Sequence, residues 1–142
     1  MNDNRGLWRG KRVDYNDWVE GDLQLEHEKG KPYYLITDRV SHWAWLVDQA
    51  TLGECTGLID KNGKLIFEGD VVKTKKYGKI VGHSNVNDYD IFVVKYEPAM
   101  FMLKNHNRGF NLVDDGYSKL EVIGNIHDNP KLARWKDGDN ND

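Results

Sequence analysis

Three carboxylate pairs, Glu20/Asp22, Glu68/Asp70 and Asp114/Asp115, stand close enough in the chain for general acid–base work. Such chemistry needs one carboxyl protonated and its neighbour ionised, hence two different environments. A hydrolase using Glu68 and Asp70 is the enzymatic reading this spacing allows. Yet two of the pairs flank a glycine, and carboxylates beside a turn glycine more often complete the hydrogen bonding of the turn itself. The five histidines, His27, His42, His83, His106 and His127, have no ligand-type neighbour at zinc spacing. The chain contains no Gly-x-Gly-x-x-Gly or Walker motif, so no metal or nucleotide cofactor is expected. The single cysteine, Cys55, has no nearby base to activate it and reads as a small hydrophobe.

Basic residues interleave with aromatics in two places. Lys73, Lys75, Lys76 and Lys79 surround Tyr77, and Arg5, Arg9, Lys11 and Arg12 surround Trp8. Cations on phosphates with a ring for stacking are what a small barrel uses to hold single-stranded nucleic acid. The competing reading is a solvated hairpin whose lysines keep a strand edge from pairing. A net charge of −3 argues against a surface devoted to nucleic acid. Trp43 and Trp45, two apart, share a side if their segment is a strand. That side is either core or, if exposed, an anchor for another subunit or a partner protein. Met100, Phe101 and Met102 could extend such a patch.

The elements that must position these groups read as strands. In 56–73, Asp60-Lys61-Asn62-Gly63 separates two short apolar runs. Asp60 can cap the turn, Asn62 tolerates its bridge conformation, and Gly63 takes a positive φ. That chemistry predicts a type I turn with a glycine bulge. A second turn at Gly69 leads to Val71-Val72. Further strands are expected near 23–25, 33–36, 91–96, 100–103, 110–113 and 120–126, and 39–47 fits either a strand or a short helix. Residues 82–90 read as a polar loop, Tyr77-Gly78 as a turn, and the last six residues cannot bury anything. Gly21 is expected to serve a turn leading into a strand. Trp18–Leu23 and Ile66–Val71 share an apolar pair, then Glu-Gly-Asp, then an apolar residue; this is the mark of a duplicated unit or of one turn chemistry used twice.

Aromatic-rich, breaker-punctuated and without a sustained helical stripe, the chain predicts a mostly-β, α+β fold. A flanking mixed lobe is expected at 1–55, an open SH3-like or pseudo-barrel core at 56–130, and a tail at 131–142. No secretory h-region or membrane-length apolar run is present, so a cytoplasmic location is expected.

Three segments resemble the YopX family of phage and prophage proteins. They are Arg9-Gly10-Lys11-Arg12 with Trp18-Val19-Glu20-Gly21, the run from Thr56 through Gly63 to Val72, and Glu121-Val122-Ile123-Gly124-Asn125-Ile126-His127-Asp128-Asn129-Pro130. Cys55 stands where the family commonly has an aromatic, and Asp48-Gln49-Ala50 replaces a more usual Pro-Glu. The resemblance implies a barrel-like β domain with small α+β additions and transfers no catalytic residues. The function expected is a non-enzymatic phage accessory protein that binds or assembles, as a homo-oligomer or with a phage or host protein. Single-strand binding through the Lys73–Lys79 hairpin is the alternative.

Overall fold

The computed structural model describes residues 4, 6–75, 89–105, 109–112 and 119–137. The chain divides into two units, Met1–Gly57 and Leu58–Asp142. Its strands form two antiparallel sheets, and the described residues contain no closed barrel, so the core expected at 56–130 is an open sheet.

In the first unit β1 (Leu7–Lys11), β2 (Trp18–Glu28), β3 (Lys31–Thr37), β4 (Ala44–Val47) and the start of β5 (Gly53–Ile59) lie in the order β4-β3-β2-β1-β5. The pattern of β2 has a period of two: Val19, Gly21, Leu23 and Leu25 alternate with Glu20, Asp22, Gln24 and Glu26. The register puts the apolar set with Ile36, Trp45 and Val47 on one face, where Ile36 and Val47 are buried. The β2–β3 hairpin turns at Lys29-Gly30, with φ of 52° and 80°, the geometry of a type I′ turn. Beyond β4, Val13 N–H donates to Leu46 O (3.0 Å) and Asp48 N–H to Lys11 O (2.8 Å), so the sheet curls until β4 meets the end of β1.

Two expectations change here. Residues 39–43 form a turn, and the strand in this segment begins at Ala44. Gly21 lies inside β2, not in a turn before it. A Cβ there would sit 1.9 Å from Thr37 O, so glycine is required by the close approach of β3.

In the second unit the end of β5 turns into β6 (Leu65–Phe67), and β7 (Asp70–Lys75), β8 (Tyr89–Glu97), β9 (Met100–Lys104), β10 (Gly109–Asn111) and β11 (Glu121–Asn125) form a sheet ordered β10-β9-β8-β7-β11. Tyr89 and Asp90, expected in a loop, begin β8. The rest of that loop and the Tyr77-Gly78 turn lie outside the described residues. One core cluster gathers Ile66, Val72, Phe92, Val94, Leu103, Leu112 and Leu120. Another joins Val71, Val93 and Ala133. Ala133 belongs to a 3₁₀ segment, Pro130–Asp137, that the expected tail did not anticipate; its helical geometry breaks at Ala133 (φ −127°). Each large apolar side chain buried in these clusters stabilises by roughly 1.5–3 kcal/mol.

Candidate functional site

The best-marked segments of the sequence converge on the Asp60–Gly63 turn and on β11. Gly63 N–H donates to Asp60 O (3.0 Å) and Asp60 N–H to Lys64 O (2.8 Å), with Gly63 at φ +83°. This is the expected type I turn with a glycine bulge. The side chain of Asp60 does more than cap it. Oδ1 accepts from Asn62 N–H and Lys64 N–H, each at 2.9 Å, while Oδ2 accepts from Val122 N–H at 2.9 Å. Lys61 N–H also donates to Leu120 O (2.9 Å). Asp60 is thus a buried carboxylate that fastens β11 to a turn 62 residues earlier. Burial alone would raise its pKa, but the three N–H donors on the ionised form outweigh it and hold the carboxyl below the usual range.

A second turn grips the other end of β11. Gly69 takes φ +95°, its N–H donates to Val94 O (2.8 Å), and its carbonyl accepts from Ile126 N–H (2.9 Å). Asp70, 1% exposed, accepts from Phe67 N–H at 2.8 Å. Glu68 Oε2 lies 3.3 Å from Tyr96 N–H. The two carboxylates of this pair therefore meet backbone donors of different elements. The matching Glu20-Gly21-Asp22 lies within a strand, so the six-residue echo marks no shared local structure. Beyond β11, Asn125 Oδ1 accepts from His127 N–H and Asp128 N–H, both at 2.9 Å. A Cβ on Gly124 would press on the Asn129 side chain, which would have to move away. Sequence reasoning identified Asp60, Asn62, Gly63 and Gly69 as turn residues; the link from Asp60 to Val122 leaves no signal in a local window.

Two of the lysines border this clamp. Lys73 and Lys61 both approach Glu121 Oε1, at 3.8 and 3.6 Å. Lys75 ends β7, while its side chain and Lys76, Tyr77 and Lys79 lie outside the described residues. In the first unit the cations cover Trp18 instead of Trp8: the Arg9 guanidinium is 4.8 Å and the Lys11 ammonium 5.5 Å from its ring centre. Arg12 lies over Tyr15 and Trp45 and forms a bidentate pair with Asp14 (2.9 and 2.8 Å).

Trp43 and Trp45 differ in their surroundings. Trp45 is half-buried beneath Arg12, whereas Trp43 is 68% exposed and its neighbour Val40 88%. Trp45 lies in β4, whereas Trp43 closes the turn between β3 and β4, which Asp38 fixes. Its Oδ1 accepts from Val40 N–H and Ser41 N–H (2.8 Å each), and its backbone bonds to Trp43 O and His42 N–H. The Ser41 and Val40 amides hold the Asp38 carboxyl below its ordinary range. Among the described residues no group of His, Cys, Asp and Glu could hold a metal ion, and no helix is long and apolar enough to cross a membrane.

Comparison with known proteins adds three findings. No curated protein matches the chain. A solved structure, protein EF1440 from Enterococcus faecalis, is similar at 20% identity over 89% of this chain and 96% of that one, with a TM-score of 0.49. The model of the YopX protein family matches residues 7–133, the span that holds both clamp turns and β11, and the chain belongs to that family.

Proposed function

We propose that this protein acts by binding rather than by catalysis, as a phage or prophage accessory protein that self-associates through the turn carrying Trp43. The observation that carries this reading is a large ring left 68% exposed on a turn whose backbone is already fixed by Asp38. Exposed tryptophans are the side chains most often found at the energetic centre of interfaces. A turn held in advance loses little conformational freedom on association. Val40 widens the apolar contact that a partner copy would cover. The most strongly marked carboxylates, Asp60 and Asp70, are buried against backbone amides, which supports a scaffold role for them.

Light scattering of the purified chain tests the proposal. A mass that is a multiple of 16.5 kDa, falling toward the monomer in Trp43→Ala with the fold intact, is the expected result. An unchanged mass removes Trp43 from the interface. Adding a mixed single-stranded oligonucleotide tests the lysine alternative: a mass shift abolished at ~0.5 M salt would favour Lys73, Lys75, Lys76, Tyr77 and Lys79 as the contact.

A further inference from the structure

We propose that the outer edge of β2 between Leu23 and Glu28 is a docking edge for an extended segment of another protein in which basic and apolar residues alternate. This rests on the reading of the chain as a binding protein but uses the outer edge of β2, across β3 from the strand that follows Trp43. β1 pairs with β2 only as far as Asp22, and β3 follows β2 to Glu28. The last six residues of β2 therefore have no strand on their outer side among the described residues.

The ladder fixes which backbone groups face that side. The two-residue turn at Lys29-Gly30 is closed by the pair Glu28↔Lys31, so residues 24, 26 and 28 bond inward to β3. The N–H and C=O groups of Leu23, Leu25 and His27 point outward. Pro32, opposite His27, agrees with this phase, because its missing N–H falls on the outer side of β3. The hairpin is thus asymmetric: proline blunts the β3 edge, while the β2 edge keeps all its donors.

The side chains bordering this edge define its occupant. One face presents Leu23, Leu25 and His27, with Leu25 49% exposed; the other presents Gln24, Glu26 and Glu28. Lys31 stands opposite Glu28 on the β3 side and Lys29 in the turn, so neither belongs to the outer side of β2. An added strand with Lys or Arg opposite the acids and a branched apolar residue opposite Leu25 would form favourable cross-strand pairs on both faces. A second copy fits less well. A two-fold antiparallel register centred on Glu26 sets carboxylate against carboxylate, and one centred on Leu25 sets Glu26 against Gln24, so neither offers the acids a cation.

The probe is a fluorescein-labelled Lys-Val-Lys-Val-Lys-Val peptide, with Glu-Val-Glu-Val-Glu-Val as its counterpart, added to the full chain. Anisotropy should show saturable binding of the basic peptide, and amide exchange should slow at Leu23, Leu25 and His27. Leu25→Pro removes an outward N–H and should weaken binding about tenfold. The pair Glu26→Lys and Glu28→Lys should reverse the preference toward the acidic peptide, and it decides the matter if the proline variant fails to fold. Trp43→Ala should bind the peptide as the parent does, which separates this proposal from the self-association reading. Absence of saturable binding, protection confined to other amides, or unchanged preference in the charge-reversed variant would overturn it. So would protection of these amides by rising protein concentration alone, which would assign the edge to a second copy.

Discussion

Asp60→Asn is the most informative single change in the scaffold. The amide is nearly isosteric, so Oδ1 can still accept from Asn62 and Lys64 while an NH₂ group replaces Oδ2 and faces the Val122 N–H. Rotating the amide would restore the bond to Val122 but oppose two donors instead of one. Either arrangement loses a charge-assisted hydrogen bond and leaves a buried donor without an acceptor, a loss of about 2–3 kcal/mol. For a chain of this size that lowers the midpoint by roughly 6–12 °C. The effect should depend on pH with a definite sign. The Asp60 carboxyl lies below its unfolded value when folded, so its contribution is present above an unfolded pKa of about 3.9 and fades as pH falls through the folded one. The gap between parent and variant, measured by urea unfolding, should therefore be full at pH 7 and shrink below pH ~4. Amide exchange at Val122 should quicken in the variant at neutral pH. A gap below about 0.5 kcal/mol, or one that does not narrow on acidification, would refute the clamp.

Three further changes probe other links. Lys29→Asn puts a residue suited to positive φ at the first position of the type I′ turn and should stabilise by about 0.5–1 kcal/mol in thermal unfolding; no gain would contradict the turn geometry. Gly21→Ala drives a Cβ against Thr37 O and should cost about 3 kcal/mol, whereas a neutral result would mean β2 and β3 do not approach so closely. Asp38→Ala removes the acceptor for Val40 and Ser41, so their amides should exchange faster and association should weaken without loss of the fold. Unchanged exchange there would show that the turn is held by other means.

The parts of this structure legible in the sequence are those whose cause is local. Asp60-Lys61-Asn62-Gly63 carries its turn chemistry in four residues, and the alternation of β2 announces a strand with one polar face. What was not legible depends on distant partners. Gly21 resembles a turn glycine until Thr37 is brought against it, and the long-range role of Asp60 requires β11 to arrive first. The break at Gly30-Lys31-Pro32 was legible, but Lys29-Gly30 lacks the asparagine that usually marks a type I′ turn, so its geometry was not. Trp43 and Trp45 have similar local sequence; their different exposure follows from β4, which sets Trp45 on the face of Ile36 beneath Arg12 and leaves Trp43 in the turn.

Light scattering of the parent chain and Trp43→Ala at matched concentration, with circular dichroism to confirm the fold, tests the binding account most directly. The expected result is a multimer of the 16.5 kDa chain that dissociates toward monomer when the ring is removed. A monomeric parent, or a variant with the same mass as the parent, would contradict it.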